Sequence, residues 1–209
     1  MARPTVYVET NFVLEICFRR PEAEAATEIL GLAERKLVDL AIPAFCLVEA
    51  RGPVQAELKR ADRLTDELDA FSAQADRFRQ SGLPSAPLTY AARLLETLES
   101  VEWPAFANAL TGVLSAARLI PLDHGSIRGS HIFASALGLD RWDAAVFACV
   151  WDEAVHRRPD GLLVFVSSDN RFVNAARGDL ERQGIRSFSS IADALGYLRH
   201  LLADDEESN

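Results

Sequence analysis

Lysine is nearly missing from this chain: of its 22 basic residues only Lys36 and Lys59 are lysines. Phosphate contacts therefore fall to arginine, whose planar fork suits bidentate recognition. A positive balance is missing too, since 31 acids against 22 bases leave a formal charge of −9. That excludes broad, non-specific adhesion to nucleic acid. Four of the negatives form the run DDEE at 204–207, which reads as part of a short, solvated acidic tail over 203–209. Long apolar runs are also absent: the longest is AAVFACVW at 144–151, and the N-terminal apolar stretch is interrupted by Glu9 and Glu15. Neither a membrane span nor a signal peptide is expected, and the expected location is the cytoplasm. Cys17, Cys46 and Cys149 are odd in number, far apart and flanked by apolar residues, which suits reduced, buried thiols and excludes a disulfide framework or zinc site. His124, His131, His156 and His200 likewise lack metal-ligand spacing.

What is present is enough for a real core. The 209 residues are 49% hydrophobic and 25% charged, the profile of one soluble domain carrying an inserted subdomain. Periodicity and punctuation predict a strand at Thr5 to Val8, a helix from about Phe12 to Phe18, and a helix opened by Pro21 with Ala25, Ile29 and Leu32 inward. A strand in LVDLAIP stops at Pro43, and AFCLVEAR begins a helix that meets a kink or break at Gly52-Pro53. Residues from about 54 to 80 are helical in pattern, SGLPSAP is a loop, and 88–118 supplies two helices split at Trp103-Pro104. The alternation then returns, with a strand in RLIPLD, loop and helix in HGSIRGSHIFASALGLD, a nearly all-apolar helix in RWDAAVFACVWDEAV and a buried strand in LLVFVSS. A helix around Phe172 to Gln183, a short strand at IRSFS and a last helix to Leu202 complete the chain. Apolar strands alternating with helices predict an α/β fold with a parallel central sheet covered on both faces. The helical stretch at about 54–116 is expected to be an insertion on that core.

Four carboxylates stand out against this frame. In parallel α/β sheets, ligand sites form at the carboxyl ends of strands, and Glu9 in VYVETN stands at such an end. Its structural alternative is a helix cap, for which glutamate is poorly suited and Thr10 or Asn11 better. Asp169 in VFVSSDN follows another strand, where an Asx turn or cap is the ordinary role. Asp143 opens a helix whose next eight residues are apolar; it or Asp140 can be that helix's cap. Glu49 follows five apolar residues, Ala44 to Val48, and can equally be the first solvent-facing position. As a set, four carboxylates converging on one pocket repel one another and call for cations. Oxygen-only ligands select Mg²⁺ or Mn²⁺, ions suited to phosphodiester hydrolysis.

Taken in order, VETN, LVEARG, RWDAAVFA and FVSSDNRF resemble the PIN-domain family, metal-dependent ribonucleases found as bacterial toxin components and in RNA processing. The resemblance covers about residues 4–51 and 117–200. It implies an endoribonuclease using Mg²⁺ or Mn²⁺ held by Glu9, Glu49, Asp143 and Asp169, the same four acids. Asn11 would orient Glu9 or the attacking water, Thr10 would cap the first helix with its hydroxyl able to face the site, and Asp140 would be an accessory acid. Arg128, Arg141 and Arg171 are candidate phosphate contacts. The implied partners are an RNA strand, or single-stranded DNA, a cognate inhibitor protein as in toxin–antitoxin pairs, and a second copy of the chain. Two departures mark this sequence. Glu9 stands where the family pattern has aspartate, its extra methylene reaching about 1.5 Å further. Arg171 stands where members often carry another acid, beside Asp169, which it can pair with or help to hold a phosphate. The rival reading is a PIN-like binding or scaffold module that has lost the chemistry; a Toprim-like site would need an Asp-x-Asp that 169–171 does not supply.

Overall fold

The computed structural model of the protein describes residues 2–77, 86–157 and 161–207. Its centre is a five-stranded, wholly parallel sheet in the order β3-β2-β1-β4-β5. The strands are β1 (Thr5–Val8), β2 (Asp39–Pro43), β3 (Ala117–Ile120), β4 (Leu163–Val166) and β5 (Ile185–Phe188). The apolar sequences of β1 and β4, TVYV and LVFV, leave no polar face for water, and every residue of both strands is buried. A strand of that composition is stable only between two covering layers.

The layers are helical. One consists of α1 (Thr10–Cys17), α2 (Ala23–Glu34), α5 (Ala86–Ala116) and α9 (Ile191–Glu207), which pack on one another. The other is built on α7 (Arg141–Arg157), which lies on β2 and β3 and touches α6 (His124–Leu137) and α8 (Asn170–Arg182). Right-handed crossovers demand this division, because the chain winds from β1 to β3 in one direction and then passes back across the sheet to β4. Helix α7 is buried from Ala144 to Val150, which accounts for its lack of amphipathic pattern.

Several local expectations change. The break expected at Gly52-Pro53 falls two residues earlier, at Ala50, between α3 (Ala44–Glu49) and α4 (Arg51–Arg77). Gly52 and Pro53 then sit in the first turn of α4, where a missing N–H costs nothing. Pro104 does not split a helix pair; α5 runs through it. One lost backbone bond is outweighed there by burial of Phe106, Ala109 and Val113 in the core. The second half of the expected insertion is thus core structure, with α4 packed along α5. Of the expected loop SGLPSAP, residues 81–85 lie outside the described residues, while Ala86 and Pro87 already belong to α5. Of the acidic tail expected over 203–209, residues 203–207 continue α9 and residues 208–209 lie outside the described residues. Among the described residues no helix is long and apolar enough to cross a membrane.

Candidate functional site

The winding direction reverses between β1 and β4, and in open parallel sheets the crevice outside the strand ends at such a switch point is where ligands bind. Val8 and Val166 are paired in register, so the residues that follow them, Glu9 and Ser167, stand side by side at that crevice. Both are buried.

Glu9 is itself the N-cap of α1, its backbone extended and its carboxylate accepting the Asn11 N–H at 2.8 Å. This corrects the expectation that Thr10 caps the helix and leaves Glu9 free of that duty. The longer glutamate stem reaches the amide because the residue is held rigidly at the end of a buried strand. The capping occupies Oε2; Oε1 is buried and accepts no hydrogen bond. Burial raises the Glu9 pKa from its ordinary 4.5 to about 7, eased by the Asn11 N–H and by the nearby Ser167 and Asn11 side chains, and worsened by the charge of Glu49. Neither side chain meets Oε1 in hydrogen-bonding geometry. A carboxylate that is 6% exposed with one oxygen unsatisfied is costly unless something outside the chain answers it.

Thr10 is the first residue of α1, and its hydroxyl donates to Oε2 of Glu49, the last residue of α3. The two acids at the ends of β1 and α3 are thereby joined through a neutral donor. Cys46, also on α3, lies among Glu9, Thr10 and Glu49, and burial drives its thiol pKa well up; it is an inert neighbour.

The third and fourth acids arrive from the opposite layer. Gly138, in the left-handed conformation at φ 65°, ends α6 and turns the chain into α7. Asp140 then caps α7, its Oδ1 accepting the N–H groups of Trp142 and Asp143 at 2.8 and 2.9 Å. Of the two candidates, Asp140 is therefore the cap, and Asp143 is released from that role. The Asp143 pKa rises from 3.8 to about 6, through burial first, then the charges of Asp140, Asp169 and Glu49, with Arg171 opposing. Asp169 caps α8 through Oδ1, which accepts from the N–H groups of Arg171 and Phe172 at 2.7 and 3.1 Å. Ser167 Oγ accepts the Asp169 N–H at 3.0 Å, fixing the turn that carries it.

Asp140, Asp143, Asp169 and Arg171 line one cavity of about 290 Å³, floored by Phe172 and Leu139. Glu49 acts on both Glu9 and Asp143 through its charge and so stands within reach of both. Arg128 and Arg141 are exposed and do not line the cavity. Size alone does not pick the site: a cavity of about 780 Å³ between α1, α2 and α5 contains none of these residues. Among the described residues, no three His, Cys, Asp or Glu side chains are grouped closely enough to hold a metal ion as they stand. The donor chemistry nevertheless fits a hard cation, being all oxygen, mutually repelling and ending in an orphaned buried oxygen.

Ser167 was not singled out from the sequence, although its position was legible: like Glu9, it is the first polar residue beyond an apolar central strand. Compared with family models, with curated proteins and with solved structures, the chain gives no match.

Proposed function

We propose that the protein is a metal-dependent endonuclease of PIN-like type acting on RNA, working at the β1/β4 switch point and located in the cytoplasm. The observation that carries this reading is the convergence there of acids from both helical layers, with Glu9 and Asp143 raised to about 7 and about 6 and, among the described residues, no cation bridging them. Structural acids are ordinarily paired; acids left to repel one another mark a place for an external positive charge. Glu9, Asp143 and Asp169 would hold Mg²⁺ or Mn²⁺, and Glu49 would join them on leaving the Thr10 hydroxyl. Such an ion supplies a nucleophilic water at neutral pH and neutralises charge on the phosphate. The Arg171 guanidinium, on the same cavity wall, suits a phosphate's non-bridging oxygens. Asn11 and Ser167 hold Glu9 and the Asp169 turn in place. RNA or single-stranded DNA is the proposed substrate; an inhibitor protein and a second copy are proposed on the resemblance alone.

One observation favours the binding-module reading instead. Glu9 and Asp169 each give an oxygen to a helix cap, Glu49 accepts from Thr10, and no metal-holding trio is assembled among the described residues. Incubation of a mixed pool of structured RNA and single-stranded DNA with Mn²⁺, Mg²⁺ or EDTA separates the two. The nuclease reading expects metal-dependent cleavage that Asp143→Asn abolishes; wild type and variant equally inert in both metals would transfer the case to the binding module.

A further inference from the structure

Tryptophan is seldom left in water without reason, because its large apolar surface is worth burying. Trp142 is 51% exposed and directly precedes Asp143 on α7. It is not loose: its ring rests on Phe45 of α3, centroids 6.0 Å apart and planes tilted by 31°, and Phe45 in turn packs on the core. One ring is anchored and the other is laid over it and left half open. Both elements carry acids of the site, since α3 ends in Glu49 and α7 begins with Asp140 capping it and Asp143 in its first turn. Val48, 74% exposed, precedes Glu49 on α3, and Arg141, exposed, precedes Trp142 on α7.

We propose that Trp142, backed by Phe45, is a stacking platform for an unpaired nucleobase next to the phosphate held at the Asp143 and Arg171 cavity, which makes the substrate single-stranded. This rests on the nuclease reading of the cavity. A base has a π-face for a pre-positioned indole only when it is out of a duplex, and stacking of this kind needs no dense basic surface. That matters in a chain with a charge of −9, where the counterion-release contribution to binding is small. Arg171 supplies the phosphate contact and the aromatic pair supplies the base contact.

The test is binding, read apart from cleavage. Thymidine oligonucleotides and RNA strands of about ten nucleotides, a length within the range such sites cover, are titrated in Ca²⁺ against wild type, Trp142→Ala and Trp142→Phe. Each strand is also made with a single abasic position, scanned along its length. Trp142→Ala is expected to weaken the intact strands roughly tenfold, the size of one lost stack, while Trp142→Phe stays within about threefold. One abasic position should weaken wild type and leave Trp142→Ala unchanged, a coupling that a merely structural tryptophan does not show. Equal affinity of wild type and Trp142→Ala would overturn the platform. So would a Trp142→Ala protein altered only in sedimentation mass, which would make the rim a protein interface. A wild type that cleaves RNA in Mn²⁺ yet shows no abasic effect sinks the platform and spares the nuclease; abasic coupling without cleavage sinks the nuclease.

Discussion

Acids cluster at both ends of the sheet, and the chain treats the two ends differently. At the amino end, Asp39 opening β2 and Glu153 on α7 are bound to one guanidinium, Arg118 of β3, at 3.0 and 2.5 Å. Burial works against the Arg118 charge, and the Asp39 and Glu153 carboxylates overcome it, so its pKa is raised. At the carboxyl end, Glu9 and Asp169 accept backbone N–H groups and Glu49 accepts the Thr10 hydroxyl, while Asp143 feels the charges of Asp140, Asp169 and Glu49. Arg171 lies on the cavity wall and only moderates Asp143. A chain with 20 arginines by its sequence has the means to neutralise an acid pair, and it does so where the acids only hold structure. Leaving the other end unneutralised is what a cation site requires.

Breaking the neutralised end should have the largest effect. Arg118→Met removes the guanidinium that Asp39 and Glu153 share, and the loss of that shared, partly buried partner is expected to cost about 3 kcal/mol in urea denaturation. At the other end the sign reverses. The Glu9 pKa is raised by folding, so its contribution to stability is fully present below 4.5 and is lost as pH rises through about 7. Glu9→Gln keeps an oxygen for the Asn11 N–H and removes the charge. It should stabilise the protein by on the order of 3 kcal/mol at pH 8 and change little at pH 4. Asp143 follows the same sign between 3.8 and about 6, but it is only partly buried, so Asp143→Asn should gain only about 1 kcal/mol above pH 7. Smallest is the cap: Asp169→Asn retains an acceptor for the Arg171 and Phe172 amides and should shift stability by less than about 1 kcal/mol. A stabilising Arg118→Met, or a destabilising Glu9→Gln at pH 8, would erase the contrast between the ends.

Much of this was legible in the sequence. Apolar β1 and β4 called for a doubly covered parallel sheet, and the four acids were visible because each interrupts an apolar pattern near a strand end. Their division of labour was not. Whether Asp140 or Asp143 caps α7 depends on where the helix starts, which Gly138 sets through one backbone turn. Propensity spoke against Glu9 as a cap, yet the rigid end of β1 delivers its long side chain to the Asn11 amide. The path of α5 through Pro104 was hidden for a similar reason, since tertiary burial of Phe106, Ala109 and Val113 overrides a local break. Trp142 looked like one more apolar residue of a buried helix, and only the fold shows that its side turns outward onto Phe45.

The central claim is that the unneutralised acids await a divalent cation, and calorimetric titration of Mn²⁺ tests it most directly. At pH 6.5, in two buffers of different ionisation heat, Mn²⁺ should bind wild type with release of protons from Glu9 and Asp143 and bind Asp143→Asn far more weakly. Absence of binding heat at pH 6.5 and at pH 8, in buffers of either kind, would contradict it.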